Sequence, residues 1–212
     1  MDKTPKLNLG LYLVTDSGLT MGRPLVEIVE KAVRGGATIV QLREKNLTTA
    51  DYIKRAKELK KVLLKYKVPL LINDRTDVAL ASQADGVHLG QNDMPCQMAR
   101  NILGPDKIIG LSVENFDQTE EANNLDINYI AVSPVFTTST KRELTSGLGL
   151  EGVRRISEIS RHPVVGIGSI KEHNAAAVIK AGASGIAVVS ALCSAEDPEK
   201  EAQKLIEQVK LK

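Results

Sequence analysis

Residues 11–42 read LYLVTDSGLTMGRPLVEIVEKAVRGGATIVQL, and the fold prediction starts from this stretch. It begins with a short β-branched apolar run, Leu11–Thr15, and ends with a second one, Thr38–Leu42. Between these runs, Leu25–Arg34 carries apolar residues at helical spacing, and two glycines follow where a helix normally ends. A strand, an amphipathic helix and a second strand in this order predict a βαβ unit, whose two strands pair in parallel.

The same alternation continues to the end of the chain. Six further apolar runs predict strands that are buried on both faces, at Pro69–Ile72, Gly86–Leu89, Lys107–Leu111, Tyr129–Val132, Val164–Ile167 and Gly185–Val189. Amphipathic helices are predicted between and after these runs, at Ala50–Lys65, Thr76–Ser82, Cys96–Leu103, Phe116–Asn124, Glu151–Ser160, Lys171–Ala181 and Pro198–Val209. Thr48, followed by Asp51 in the first turn, is typical of a helix start.

Eight strands alternating with eight helices predict one α/β domain over residues 1–212 with a parallel sheet. Dividing the length by eight gives about 26 residues per repeat, near the lower limit for a (β/α)8 TIM barrel. A doubly wound open sheet is the alternative, because alternation by itself does not separate the two architectures. No proline-rich or low-complexity linker interrupts the chain, so we expect no second domain.

Composition excludes several classes of function. Lys and Arg number 28 against 26 Asp and Glu, and this balance argues against a protein that coats duplex nucleic acid. No Trp and two Phe argue against a stacking platform for single strands. No apolar run approaches the roughly 18 residues of a membrane span, and no secretory signal is apparent. We therefore expect a cytoplasmic protein in which Cys96 and Cys193, which lack a metal-binding spacing, are buried thiols.

Polar residues end almost every predicted strand. In a barrel of this type, the C-terminal ends of the strands carry the active site. The second strand ends in Gln41, Arg43 and Lys45, which alternate with other residues and therefore share one side. The remaining strand ends contribute Asn73, Asp74, Gly90, Gln91, Asn92, Asp93, Ser112, Gly168, Ser169, Val189 and Ser190. We expect these residues to form one rim.

Asp74 and Asp93 follow neighbouring predicted strands. Two carboxylates placed in this way can share Mg²⁺, which takes its other ligands from water and substrate phosphates. Arg43, Lys45 and Lys141 would supply positive charge around a polyanion. Asp74 as a helix cap and Asp93 as an ordinary loop acid are the alternatives for each residue alone. The set as a whole favours a magnesium–pyrophosphate site.

The turns after the seventh and eighth strands, Gly166–Ser169 and Val189–Ser190, lie where barrels usually bind a monophosphate. The alternative is that the glycines serve only to make tight turns.

The connection Ser133–Leu150 exceeds the roughly 12–15 residues of an ordinary loop and is predicted to be a mobile polar flap. His88 lies in mid-strand and is predicted to be a packed, supporting residue. The site is thus rich in anion-binding groups and poor in bases, which suits the departure of a pyrophosphate.

A specific series of motifs runs along the chain. QLREK at 41–45 is followed by LLINDR at 70–75, ADGVHLGQNDMP at 84–95 and YIAVSPVFTTSTK at 129–141. VVGIGSI at 164–170 and GIAVVSAL at 185–192 complete the series. From about Leu11 to Pro198, the sequence resembles the thiamine-phosphate synthase (thiamine-phosphate pyrophosphorylase) family.

The resemblance implies a Mg²⁺-dependent transferase with a (β/α)8 barrel and two small phosphorylated substrates. These are 4-amino-2-methyl-5-pyrimidinylmethyl pyrophosphate and a thiazole ethyl monophosphate, and they would yield thiamine monophosphate and pyrophosphate. The pyrimidine pyrophosphate would be bound by Gln41, Arg43, Lys45, Asn73, Ser112 and Lys141, of which Arg43, Lys45, Ser112 and Lys141 would act in catalysis. The thiazole phosphate would be bound by Thr138, Thr140, Gly168, Ser169, Val189 and Ser190. Asp74 and Asp93 would be the metal ligands.

One position departs from the family pattern. The family commonly has Gly-Gly after the seventh strand, where this chain has Gly168-Ser169. If that turn needs a positive φ, Ser169 would strain it and weaken thiazole-phosphate binding.

The same scaffold has three alternative functions. A thiazole tautomerase would not need the complete QxRxK motif with two aspartates. A non-catalytic barrel that senses thiamine phosphates would not need the charged rim. A phosphosugar or tryptophan-pathway barrel would leave the two aspartates in their basic setting unexplained.

Overall fold

The computed structural model describes residues 7–137 and 147–210. The strands are β1 Leu11–Val14, β2 Ile39–Leu42, β3 Leu70–Asn73, β4 Gly86–Leu89, β5 Ile108–Val113, β6 Tyr129–Val132, β7 Val164–Ile167 and β8 Gly185–Val188. The helices are α1 Leu25–Arg34, α2 Thr49–Tyr66, α3 Thr76–Ser82, α4 Cys96–Leu103, α5 Phe116–Ala122, α6 Gly149–Ile159, α7 Glu172–Lys180, α8 Ser190–Cys193 and α9 Pro198–Lys210. A 3₁₀ turn at Ser17–Leu19 follows β1.

The eight strands form a closed parallel barrel in sequence order. Closure is made by β1 and β8, where Leu13 pairs with Val188. This pairing confirms the (β/α)8 barrel and excludes the doubly wound sheet, in which the first and last strands would not meet. Because all the strands are parallel, their C-terminal ends lie at one end of the barrel and their carboxyl-terminal residues converge there.

Strand β1 shows the two apolar layers of the barrel. In β1, Leu11 and Leu13 pack into the large cluster between the strands and the surrounding helices. Tyr12 and Val14, which alternate with them, belong to a smaller cluster that fills the barrel interior. Both faces are therefore buried, which is why the strands read as unbroken apolar runs.

The helix signals in the sequence are confirmed where they rest on side-chain capping. The Thr48 hydroxyl accepts a hydrogen bond of 3.2 Å from the backbone N–H of Asp51 at the start of α2. The predicted bounds of the longer helices shift by one or two residues, and α6 begins at Gly149 rather than Glu151. The 3₁₀ turn and α8 were not predicted, because three or four residues are too few for a helical period.

The long connection after β6 is hydrogen-bonded at both of its described ends. The backbone N–H of Val135 donates to the carbonyl of Ile167 at 2.8 Å. At the far end, the N–H of Gly149 donates to the Val135 carbonyl at 2.9 Å. The near end is thus tied to β7 and the far end to the near end, while residues 138–146, the middle of the predicted mobile polar flap, lie outside the described residues.

The two cysteines are free and buried, as predicted. Burial raises the pKa of Cys193 to about 11, so this thiol stays protonated at neutral pH. None of the described helices has the length and hydropathy needed to cross a membrane.

Candidate active site

A cavity of about 760 Å³ opens at the C-terminal end of the barrel. Its lining includes every predicted rim residue that the structure describes, namely Gln41, Arg43, Lys45, Asn73, Asp74, Gly90, Gln91, Asn92, Asp93, Ser112, Gly168, Ser169, Val189 and Ser190. The predicted site residues Thr138, Thr140 and Lys141 lie outside the described residues. The predicted rim is therefore a real cavity wall.

Asp74 and Asp93 meet at the edge of this cavity. Their carboxyl groups lie close enough to interact directly with each other. The backbone N–H of Asp74 donates to the carbonyl of His88 at 2.8 Å, and the residue has a φ of 63°. Asp93 accepts a hydrogen bond of 2.7 Å from the N–H of Gly90, which fixes the carboxylate against its own loop. Asp74 is not the cap of α3, because Arg75 occupies that position.

The two carboxyl groups have opposite pKa shifts. Burial and the contact with Asp74 raise the pKa of Asp93, although the hydrogen bond from Gly90 opposes this. Burial also acts to raise the pKa of Asp74, but hydrogen bonds with Lys45 and Asp93 outweigh it and lower that pKa. Two touching carboxyl groups hold either one proton or a cation between them. The donor set fits a hard divalent cation such as Mg²⁺.

Each of the two basic residues of the QLREK motif is paired with a carboxylate. Lys45 Nζ lies 2.8 Å from Asp74 Oδ2, and Arg43 Nη1 lies 3.3 Å from Asp16 Oδ2. Asp16 is not among the predicted site residues, although it lies two residues after the end of β1 and so belongs to the same end of the barrel. The Arg43 side chain is only 16% exposed, so its charge faces the protein and the cavity rather than bulk water.

A chain of hydrogen-bonded polar side chains runs along the floor of the cavity and into the barrel interior. Gln41 Nε2 donates to the Tyr12 hydroxyl at 2.6 Å, and the hydroxyls of Tyr12 and Tyr129 are 2.9 Å apart. His88 Nδ1 lies 2.8 Å from the Tyr129 hydroxyl, and His88 Nε2 lies 2.9 Å from Ser112 Oγ. His88 is thus a packed, supporting residue, as predicted. The two tyrosines were not among the residues predicted from the sequence. The available signal was their place in the strands, at positions whose side chains point into the barrel.

Sequence and structural relatives agree on one family. A family model described as thiamine monophosphate synthase matches residues 11–192. The chain belongs to this family. A thiamine-phosphate synthase of Leptospira biflexa is 52% identical over 194 residues, covering 90% of this chain and 92% of its own. One of Clostridium novyi is 48% identical over 191 residues, covering 90% and 94%.

Solved structures extend the comparison. The thiamine phosphate pyrophosphorylase of Pyrococcus furiosus is 40% identical, with a TM-score of 0.88 over 97% of both chains. A 3-hexulose-6-phosphate synthase has a TM-score of 0.68 at 17% identity, covering 94% of this chain and 99% of its own, and this likeness shows the fold alone. The family assignment therefore rests on sequence and structure together.

The turn after β7 has the geometry in which a serine replacing the usual family glycine is strained. Gly168 has a φ of 118°, and a Cβ there would lie 2.8 Å from Pro134 Cβ. Ser169 has a φ of 48°, in the left-handed region that favours glycine. Its hydroxyl donates to the carbonyl of Thr137 at 2.7 Å, a bond that a glycine would lack. The strain is thus accompanied by a compensating hydrogen bond.

Substituting Ser169 separates these two effects. Ser169→Ala keeps the strained backbone and loses a bond worth about 0.5–1.5 kcal/mol, so we expect a melting temperature about 1–5 °C lower. Ser169→Gly loses the same bond but is relieved of about 1 kcal/mol of strain, so we expect little change. Thermal unfolding followed by circular dichroism measures both. Equal losses for the two variants would contradict the strain at this position.

Proposed function

We propose that this chain joins 4-amino-2-methyl-5-pyrimidinylmethyl pyrophosphate to a thiazole ethyl monophosphate, releasing thiamine monophosphate and pyrophosphate. The observation that carries the proposal is the pairing of Asp74 with Asp93 beside Lys45 and Arg43 in the cavity. This is a site for Mg²⁺ and a polyanion rather than for a neutral ligand. The proposal agrees with the synthase relatives, which the chain matches over 90% of its length.

The barrel provides separate places for the two substrates. The carboxylates and the basic residues follow β2, β3 and β4, whereas Gly168, Ser169, Val189 and Ser190 follow β7 and β8. In a ring of eight strands, β3 and β7 stand opposite each other. We assign the first side to the pyrimidine pyrophosphate and the second to the thiazole phosphate. Lys141, Thr138 and Thr140 keep their predicted roles in the connection between β6 and α6.

The proposed reaction needs charge stabilisation more than proton transfer. The carbon–oxygen bond to the pyrophosphate breaks, its electron pair leaves with the pyrophosphate, and the thiazole nitrogen forms the new carbon–nitrogen bond with its lone pair. Bound Mg²⁺, held by Asp74 and Asp93, would neutralise the leaving group. Arg43 and Lys45 would bind the same oxygens, while Gln41, Asn73 and Ser112 orient the pyrimidine. The thiazole nitrogen has no proton to lose, so no general base is required.

The alternative functions make different use of the same cavity. A thiazole tautomerase would need only the side after β7 and β8, and a non-catalytic sensor would need no metal. The cluster of acidic and basic residues at the opposite side favours the transferase over both. A cytoplasmic location stays a prediction from the sequence.

A coupling assay tests the proposal directly. The purified protein is mixed with the pyrimidine pyrophosphate, the thiazole phosphate and Mg²⁺, and thiamine phosphate is detected after oxidation to its fluorescent thiochrome form. We expect product with Mg²⁺ and none after chelation. Product that is insensitive to chelation would remove the metal from the proposal. Binding of the thiazole phosphate with no product under any condition would favour the tautomerase or the sensor.

A further inference from the structure

The chain of polar side chains beneath the cavity is almost completely removed from water. Tyr12 and Tyr129 are 1% and 0% exposed, and Gln41, His88 and Ser112 are also buried. Burial raises the pKa of both tyrosines far above the ordinary value, so both stay protonated. Each of these side chains must therefore donate its polar hydrogens to neighbouring acceptors, because a buried polar hydrogen without an acceptor costs free energy.

The order of donors along this chain follows from its first bond. The amide nitrogen of Gln41 can only donate, so the Tyr12 oxygen accepts from it and passes its own hydrogen to Tyr129. Tyr129 then donates to His88 Nδ1, which must be unprotonated. A neutral imidazole with a bare Nδ1 carries its hydrogen on Nε2, and that hydrogen goes to Ser112 Oγ.

Gln41 and Ser112, the two ends of this series of hydrogen bonds, line the cavity, as do Tyr12 and His88. In the described part of the protein, Gln41 Oε1 and the hydroxyl hydrogen of Ser112 have no protein partner. The direction of the chain therefore leaves one acceptor, Gln41 Oε1, and two donors, the second hydrogen of Gln41 Nε2 and the Ser112 hydroxyl, for a ligand. An aminopyrimidine carries an amino donor and ring-nitrogen acceptors, which match such a set.

We infer that Tyr12, Tyr129 and His88 are positioning residues that set the donor and acceptor polarity of the pyrimidine site through Gln41 and Ser112. The inference rests on the proposed function for the identity of the ligand. The three residues act through Gln41 and Ser112, and the polarity exists before any substrate binds. This positioning role predicts that removing one tyrosine hydroxyl from the barrel interior changes recognition of the pyrimidine ring but not of the pyrophosphate.

The direction of the chain can be measured without substrate. Long-range ¹H–¹⁵N correlation spectra of histidine-labelled protein at pH 7 report which ring nitrogen carries hydrogen. The protein has three histidines, so the variants His162→Gln and His173→Gln identify the His88 signals by elimination. We expect the His88 ring to carry hydrogen on Nε2 and not on Nδ1, and to lose this preference in Tyr129→Phe. Hydrogen on Nδ1 would overturn the inference.

Ligand recognition is measured with two probes, the pyrimidine pyrophosphate and inorganic pyrophosphate, each in the presence of Mg²⁺. Tyr129→Phe should raise the Kd of the pyrimidine pyrophosphate by about 5- to 30-fold, the effect of misaligning one or two hydrogen bonds. It should leave the Kd of pyrophosphate within about twofold of the wild-type value, because the change is confined to ring recognition. Tyr12→Phe interrupts the chain at a second point and should have the same selective effect.

Tyr52→Phe is the matched control. Tyr52 is only 2% exposed, but its hydroxyl donates to the backbone carbonyl of Leu42 at 2.7 Å, outside the chain. The Tyr52→Phe variant should lower the melting temperature about as much as Tyr129→Phe does. It should not selectively weaken recognition of the pyrimidine ring. The same selectivity in Tyr52→Phe, or equal weakening of both probes in Tyr129→Phe, would contradict the positioning role. If the wild-type protein bound pyrophosphate but not the pyrimidine pyrophosphate, the proposed function would fail, whereas the His88 tautomer would still test the chain's direction.

Discussion

Asp93→Asn is expected to lower kcat/KM of the coupling reaction by about 100- to 1000-fold, the usual effect of removing one electrostatic group that stabilises developing charge. Asparagine has nearly the same shape, and its amide oxygen can still accept the hydrogen bond from Gly90. What is lost is one negative charge next to Asp74, and with it half of the carboxylate pair that would hold Mg²⁺. Steady-state rates over a range of Mg²⁺ concentrations measure the effect.

The same substitution should not weaken the fold. Because burial and Asp74 raise the pKa of Asp93, ionising this group at neutral pH costs folding free energy. That cost falls away as the pH drops below the raised pKa, where the folded protein binds the proton. A neutral amide removes the cost at any pH, so we expect a melting temperature equal to or slightly above that of the wild type at pH 7.

Asp77→Asn is the matched control for this experiment. Asp77 forms an ion pair with Arg75 close to the site, but its side chain is 59% exposed and does not line the cavity. Its removal should change kcat/KM by less than about twofold, as expected for an exposed ion pair. If Asp93→Asn resembled Asp77→Asn at every Mg²⁺ concentration, the metal role of Asp93 would have to be abandoned.

Gly110→Ala is expected to lower the stability of the fold strongly. A Cβ at Gly110 would fall well inside van der Waals contact with the ring carbons and hydroxyl of Tyr129. Tyr129 is fully buried, and because protein interiors are close-packed, its ring cannot turn aside without displacing its neighbours. Overpacking of this kind costs about 1–3 kcal/mol or more, so we expect the melting temperature to fall by about 3–10 °C. Thermal unfolding followed by circular dichroism measures the loss.

Two further variants isolate the cause. Gly18→Ala adds the same methyl group where the nearest atom is Asp16 Oδ1, at 3.2 Å, and should change stability by less than about 0.5 kcal/mol. Combining Gly110→Ala with Tyr129→Leu gives the methyl group room, so the two losses should be less than additive. Additive losses would show that the Tyr129 ring is not the reason for glycine at this position.

The fold and the main wall of the site could be predicted from the sequence because both depend on local patterns. Buried parallel strands are written as short apolar runs, and the amphipathic helices between them show a helical period. Once the strands are parallel, residues that follow them must share one end of the sheet. For this reason Asp74, Asp93 and the QLREK residues could be assigned to one rim without coordinates.

The contacts between distant parts of the chain could not be predicted in this way. Tyr12 and Tyr129 are 117 residues apart, and their hydroxyls meet only because the barrel closes and both side chains point inward. Asp16 beside Arg43 and the positive φ of Ser169 likewise depend on how neighbouring loops pack.

By itself, the sequence determined the strand and helix order, the family and most of the cavity wall of this protein, because periodicity and motif order are properties of neighbouring residues. The tertiary structure decided that the sheet is closed, that the two aspartates touch, and that Gln41 is connected to Ser112 through the barrel interior. These features require distances and angles between residues far apart in the chain, and no local pattern of residue types contains them.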